Sequence, residues 1–192
     1  MQDEAGAALT RAEPSSGSRP AARDARFGPR TLLAVVALVV LVLDQLTKIW
    51  ALAALTPGDP VDVVGSWIRL NLIRNPGAAF SLGDGSTWVL TLLSLAILVG
   101  VLVTARRVGN RTWAVTLGLL LGGAVGNLVD RFAREPGPGR GHVVDFIDYF
   151  GLFIGNVADI AIVGAALVIM VLAHRGVPVG PGAGRHEAAA DE

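Results

Sequence analysis

Residues 31–55 read TLLAVVALVVLVLDQLTKIWALAAL, and this stretch decides the fold. It is long enough to cross a lipid bilayer, which takes about 20 residues. Three further apolar segments follow, at 88–105, 113–129 and about 152–173. Since 52% of all residues are hydrophobic, the sequence predicts an all-α membrane protein, a four-transmembrane-helix bundle.

The two ends of the chain differ from this apolar centre. Residues 1–30 are rich in Ala, Arg, Pro, Gly and Ser, and residues 176–192 form a Gly/Pro run that ends in Ala and acids. Neither end has an apolar face that could pack, so we predict disordered cytoplasmic tails on either side of a membrane domain at 31–175. The start of the first span lacks a small-residue cleavage site and is therefore a poor signal peptide.

Basic residues indicate the orientation. Ten arginines lie in the two tails and the 106–111 connection, against five in the segments 56–87 and 130–151 and their borders. The positive-inside rule then places both termini in the cytoplasm and the two longer connections outside. Alternating apolar and polar residues in VDVVGSWIRLNLIRN (61–75) predict short strands there, a small extracytoplasmic β-like cradle.

Composition excludes several functions. Basic and acidic residues both number 16, so no net charge attracts nucleic acid. The chain has no cysteine, which excludes disulfides, Cys-ligated metals and Cys nucleophiles. Three scattered histidines do not suggest a metal site, and we expect neither a metal nor another cofactor.

Polar residues cluster on the predicted outer side, where ionisable groups next to a span are functional candidates. They are Asp44, Gln45, Lys48, Asn127, Asp130, Arg131, Asp145, Asp148, Asn156 and Asp159. The inner halves of the helices are almost purely apolar. This distribution predicts a site at one membrane face, because a transport path would scatter polar groups through the whole thickness.

Some of these residues also have simpler structural roles. Asp44 and Lys48 are four apart on a helix, so a structural ion pair is the favoured interpretation. Arg131 either snorkels to headgroups or holds substrate. Asn75, in Asn-Pro-Gly, is either a turn residue or part of a site. Asp148 is expected to be solvated.

Other acids also have competing interpretations. Asn156 and Asp159 either only begin the fourth helix, where acids favour the helix dipole, or belong to a site. Asp145 is either a solvated loop acid or a catalytic group. Asp84 in SLGD resembles part of a GxGD protease signature, but the leading Gly is missing and the residue lies in a loop, so we reject that interpretation.

Asp145 and Asp159 are separated by one outer segment and could meet. Two carboxylates at close range cannot both ionise, so one keeps its proton. The ionised carboxylate can then take a proton from water while the protonated one donates to a carbonyl oxygen. Such a pair hydrolyses an amide without a metal, Ser or Cys, although spacing alone does not establish contact.

Five motifs in order make the chain resemble bacterial lipoprotein signal peptidase, also called signal peptidase II. They are DQLTKIW (44–50), NPGAAFSL (75–82), GGAVGNLVDRF (122–132), GHVVDF (141–146) and GNVADIAI (155–162). The resemblance covers about residues 31–173. It implies a catalytic pair, Asp145 and Asp159; substrate-binding residues Asn75, Gly77, Asn127, Arg131 and Asn156; and structural support from Asp44, Lys48 and Asp130.

The resemblance also implies the reaction. The family's substrate is a prolipoprotein with a diacylglyceryl-modified Cys, which lies in membrane lipid, and the enzyme cuts before that Cys. The cyclic peptide antibiotic globomycin is implied as an inhibitor. Two departures stand out: Gly155 replaces a usual Phe, which removes a ring and loosens the backbone, and EPGPGRG (135–141) lengthens an outer loop.

Two other functions remain open from the residues alone. A proton-coupled carrier or channel would use Asp44, Lys48, Asp145 and Asp159 as a relay, but it predicts polar groups at mid-depth and usually an internal repeat. Neither is visible in the sequence. A non-catalytic membrane scaffold would tolerate loss of both Asp145 and Asp159.

Overall fold

The computed structural model describes residues 28–77 and 87–180. All four predicted spans are helices that are long and apolar enough to cross a membrane. They are α1 Pro29–Ala54, α2 Thr87–Ala105, α3 Arg111–Ala133 and α4 Val157–His174. The prediction of a four-helix membrane bundle is confirmed.

Helix α3 is the central helix and packs against the other three. Glycines on two of its faces allow close approach of the neighbouring backbones. A Cβ atom at Gly122 would lie 2.6 Å from the backbone oxygen of Ala37 in α1, and one at Gly123 would lie 2.6 Å from that of Ala158 in α4. The small residues of α3 therefore set how closely α1 and α4 approach the bundle centre.

A four-stranded antiparallel sheet covers one end of the bundle, which we call the sheet end. Its strands, in spatial order, are β1 Val61–Val64, β2 Ile68–Asn75, β3 Val143–Tyr149 and β4 Phe153–Gly155. The sequence predicted strands only in the first connection, so β3 and β4 were missed. Strand β3 reads VVDFIDY and is largely buried on both faces, so it lacks the alternation that identifies a half-exposed strand.

Two predicted helix boundaries were wrong. Helix α4 begins at Val157 rather than near Leu152, because the chain first pairs with β3 as strand β4. Helix α3 continues to Ala133 rather than ending at Val129. Polar residues do not end α3: Asp130 and Arg131 in its last turn are both buried, and Asp130 is paired with Lys48.

The segment after α4 follows the α2–α3 connection. The indole Nε1 of Trp113 donates to the backbone oxygen of Val177 at 3.0 Å, and the backbone N–H of Gly109 donates to that of Val179 at 2.9 Å. The packed domain thus extends beyond residue 175. Residues 1–27 and 181–192 of the proposed tails lie outside the described residues.

We predict that Gly122→Leu separates α1 from α3. A larger side chain at this contact must displace backbone, and overpacking typically lowers the free energy of unfolding by about 1–3 kcal/mol. The measurement is thermal unfolding in detergent, with Gly100→Leu on α2 as control, since a Cβ there meets nothing within 4 Å. Equal stabilities of the two variants would contradict the close α1–α3 packing.

Candidate active site

Asn156 joins strand β4 to helix α4 and fixes the first turn of that helix. Its side chain accepts a hydrogen bond from the backbone N–H of Asp159 at 3.0 Å, and the Asp159 carboxylate accepts one from the backbone N–H of Asn156 at 3.0 Å. This reciprocal pair is a capping box. The sequence GNVAD therefore holds the Asp159 carboxylate at the sheet end of α4.

Strand β3 brings the Asp145 carboxylate to the same place. Asp145 lies opposite Ile73 of β2 in the sheet register and is 2% exposed. Its two carboxylate oxygens accept hydrogen bonds from the side-chain amides of Asn75, at 2.7 Å, and Asn156, at 2.6 Å. Asn156 thus contacts both Asp145 and Asp159 and links a strand to a helix.

Asn127 of α3 joins this network from the bundle side. Its amide nitrogen donates to Asp159 at 3.0 Å, and its amide oxygen accepts from Asn156 at 3.2 Å and from the Lys48 ammonium at 3.0 Å. Because the Asn127 oxygen accepts two hydrogen bonds, the amide is held in the orientation in which its NH₂ group faces Asp159. The orientation of one carboxylate therefore depends on three helices.

The predicted ion pair between Asp44 and Lys48 is confirmed and is part of a larger cluster. The Lys48 ammonium lies 2.9 Å from the carboxylate of Asp44 and 2.9 Å from that of Asp130, and all three side chains are fully buried. The Nε of Arg134 contacts the other carboxylate oxygen of Asp130, Oδ1, at 2.6 Å. Two cations thus balance two carboxylates behind the site.

One cleft of about 320 Å³ brings most of the predicted site residues together. Its lining includes Gly77 and the polar residues Asn75, Ser94, Asn127, Arg131, Asp145 and Asp159. Leu90, Leu93 and Ile97 of α2 face Ile162 of α4 across an apolar part of the same cleft. Asn156 is fully buried and does not line the cleft, unlike the other predicted substrate-binding residues, so it lies behind the carboxylates.

Arg131 offers free donors to this cleft. It is 7% exposed, which does not fit a side chain that snorkels to headgroups. Its Nε and Nη1 atoms are buried and make no hydrogen bond with any described residue. Because buried donors normally find acceptors, the guanidinium is suited to bind an oxygen of a bound molecule.

The chemical environment favours a shared proton. Burial, and secondarily the nearby Asp159 carboxylate, raises the pKa of Asp145 from 3.8 to about 7, although Asn75, Asn156 and Lys48 oppose the rise. A carboxyl that retains its proton near neutral pH can donate it, while an ionised neighbour accepts one. The arrangement therefore suits general acid–base chemistry.

The prediction that Asp148 is solvated was wrong. Asp148 is 1% exposed, and its carboxylate contacts the Arg69 guanidinium at 2.6 Å and accepts from the backbone N–H of Gly151 at 2.8 Å. Arg69 lies directly opposite Asp148 in the β2–β3 register. The sequence did not reveal β3, so it could not show that this strand pairs the acid with a cation, on the face opposite Asp145.

Phe153 was missed as a residue of the site. A Cβ atom at Gly155 would lie 2.8 Å from the Phe153 ring and 3.0 Å from the Asp159 carboxylate. The absence of a side chain at Gly155 therefore allows the Phe153 ring to lie beside Asp159. Gly155 is also paired with Ile147 in the sheet, so its backbone is ordered rather than loosened.

The loop at 135–141 is anchored at both sides. The Thr91 hydroxyl of α2 donates to the backbone oxygen of Gly139 at 2.8 Å, and the N–H of Gly141 donates to the backbone oxygen of Arg131 at 3.0 Å.

Within residues 28–77 and 87–180, no group of three or more His, Cys, Asp or Glu side chains is placed to hold a metal ion.

Comparisons with known sequences give a consistent result. Residues 36–174 match the family model described as signal peptidase (SPase) II. The chain is 51% identical over 141 residues to the lipoprotein signal peptidase of Mycolicibacterium smegmatis, covering 73% of this chain and 60% of that protein. It is 48% identical over 160 residues to that of Mycobacterium avium, covering 83% and 87%.

Solved structures share the fold. Two structures described as bacterial membrane enzymes are each 26% identical to this chain, with TM-scores of 0.64 and 0.66. The first alignment covers 74% of this chain and 92% of the other, and the second covers 76% and 88%. The helices and sheet described above are therefore shared with solved membrane enzymes.

We predict that the raised pKa of Asp145 makes stability depend on pH. Between its ordinary pKa of 3.8 and about 7, the folded chain binds more protons than the unfolded chain, so the free energy of unfolding falls as the pH rises through this window. The loss is at most about 4 kcal/mol. Asp145→Asn should remove most of this fall, as measured by thermal unfolding in detergent at pH values across the window.

The matched control for this prediction is Asp62→Asn, because Asp62 lies on the exposed strand β1. It should keep the pH dependence of the wild-type chain. If Asp145→Asn unfolds with the same pH dependence as Asp62→Asn, the Asp145 carboxyl does not hold a proton in this range.

Proposed function

The chain belongs to the signal peptidase II family, proteases that remove signal peptides from prolipoproteins, and we propose that it does so with Asp145 and Asp159 as a catalytic aspartyl pair. The supporting observation is that both carboxylates line one cleft and that Asn156 hydrogen-bonds to each of them. Peptide hydrolysis by two carboxylates requires this proximity.

The proposed reaction uses one proton shared by the pair. The ionised carboxylate takes a proton from a water molecule, whose oxygen attacks the scissile carbonyl carbon, while the protonated carboxyl gives its proton to the carbonyl oxygen. The C–N bond of the tetrahedral intermediate then breaks as the newly protonated carboxyl gives its proton to the leaving nitrogen and the other carboxylate takes a proton from one of the two hydroxyl groups, which yields a carboxylic acid and an amine. The pair ends with one proton again, a property of both groups together.

The lining of the cleft supports a substrate that is partly peptide and partly apolar. Asn75, Gly77, Asn127 and Arg131 surround the carboxylates with polar groups, and the leucines of α2 extend the cleft as an apolar surface. We propose that the polar groups bind the peptide backbone next to the scissile bond, which precedes the diacylglyceryl-modified Cys. Asn156 would then position the carboxylates rather than touch the substrate.

We also propose that the sheet end faces the extracytoplasmic side of the bacterial plasma membrane and that both termini are cytoplasmic. The support is the excess of arginine in the tails and the 106–111 connection. The scissile bond of a prolipoprotein would then meet the carboxylates at the outer membrane face. We expect globomycin to inhibit cleavage by occupying the same cleft.

We predict that Asp145→Asn and Asp159→Asn each lower the rate of cleavage at least about a hundredfold, the lower range for loss of a general acid or base. The measurement is cleavage of a diacylglyceryl-modified prolipoprotein by the purified full chain in detergent. The control is Asp148→Asn on the opposite face of β3, with its unfolding temperature measured in parallel. Full cleavage by either Asp145→Asn or Asp159→Asn would reject the aspartyl mechanism.

Arg131 yields a separate prediction about substrate binding. Arg131→Gln should raise KM about 10- to 100-fold, the range for losing a hydrogen bond from a charged donor, with a smaller change in kcat. Arg131→Lys keeps the charge but loses the planar fork and should raise KM less. Arg69→Lys, on the other face of the sheet, serves as the control. An unchanged KM in Arg131→Gln would show that the guanidinium does not contact the substrate.

A further inference from the structure

A second apolar depression lies outside the cleft, on the outer face of α4. We call it the α4 groove, and its volume is about 420 Å³. Ile160, Val163, Gly164 and Leu167 form its floor and walls, and their spacing places them on one face of the helix. None of these four residues is polar, so the groove suits a hydrocarbon.

One end of the α4 groove lies beside Asp159 of the candidate catalytic pair. The Tyr149 and Phe153 rings are stacked there with centroids 6.2 Å apart, and both rings line the groove together with Asp159. Phe153 and Asp159 also line the 320 Å³ cleft. The groove and the cleft therefore adjoin each other at the Phe153 ring, beside one of the two carboxylates.

The length of the α4 groove distinguishes between two kinds of occupant. From Asp159 to Leu167 the helix advances about 12 Å, which is less than half of the roughly 30 Å hydrocarbon core. A signal-peptide helix that spans the membrane would need a surface along the whole of α4. A hydrocarbon chain anchored at the sheet end occupies one leaflet only, and its polar attachment would lie beside Asp159, the one charged residue among the described residues that line the groove.

Gly164 provides the space inside the groove. A Cβ atom built at this position meets no atom within 4 Å. The glycine is therefore not required for close packing between helices of this chain, unlike Gly122 and Gly123 of α3. Its effect is to leave the middle of the groove open.

We propose that the α4 groove binds an acyl chain of the diacylglyceryl group on the substrate Cys, which passes around Phe153 from the cleft. This inference rests on the proposed function, because that function places the lipid-modified residue next to the scissile bond. The 320 Å³ cleft between α2 and α4 remains available for the apolar part of the signal peptide. Gly164 is then a residue that determines specificity for the lipid.

The test fills the groove without touching the catalytic pair. Gly164→Leu in the full chain is assayed in detergent with two prolipoproteins that differ only in their diacylglyceryl group, one with long and one with short acyl chains. We expect KM for the long-chain substrate to rise about tenfold, the factor for excluding roughly two methylenes from an apolar site. KM for the short-chain substrate should stay within about twofold, and Gly164→Ala should give a smaller rise for long chains.

The matched control is Gly100→Leu on α2, where a Cβ also meets nothing within 4 Å; it should not change KM for either substrate. An unchanged KM in Gly164→Leu, or an equal rise for both acyl lengths, would overturn the proposal. A second pair of prolipoproteins differs only in the length of the apolar segment of the signal peptide; a rise in KM of Gly164→Leu that follows this length would assign the groove to that helix, which also overturns the proposal. Cleavage of the short-chain substrate at the wild-type rate shows a folded enzyme and leaves the aspartyl mechanism standing whatever the acyl dependence.

Discussion

The site depends on the ion pairs that the buried ammonium of Lys48 makes with two carboxylates. A single charge in a membrane-spanning bundle is costly unless it is paired, and Lys48 has Asp44 and Asp130 at 2.9 Å each. Asp44 accepts the backbone N–H of Ala158 in α4 with its other oxygen, Oδ1, and Asp130 accepts that of Val144 in β3 with the same oxygen that contacts Lys48. The ion cluster thus fixes the two segments that present the catalytic candidates.

The same cluster explains how two acids stay close together in a buried place. Repulsion between Asp145 and Asp159 would separate them if each were held only by its own element. Asn127 and Asn156 donate hydrogen bonds to the pair, and the Asn127 oxygen is held in turn by Lys48. The groups that donate hydrogen bonds to the two carboxylates are neutral amides, so the pair can retain a proton instead of both groups ionising.

Sequence reasoning found what depends on side-chain chemistry and missed what depends on distant pairing. Apolar length predicted all four helices, and the spacing of Asp44 and Lys48 predicted their ion pair. The buried state of Asp148 was missed because it requires Arg69, far away in the chain and opposite it in the sheet. The place of Phe153 beside Asp159 was missed for a similar reason. It requires strand β4, which pairs with β3, to lead directly into the capping box that begins α4.

The departure at Gly155 connects these points. Because Gly155 has no side chain, the Phe153 ring can lie next to it. That ring separates the cleft lined by both acids from the apolar groove on α4. A peptide bond needs polar, fixed surroundings to be hydrolysed, whereas a hydrocarbon needs only apolar surface. An aromatic ring next to Asp159 provides a boundary between these two environments, and a substrate with a lipid on the residue after the cut would place one part in each.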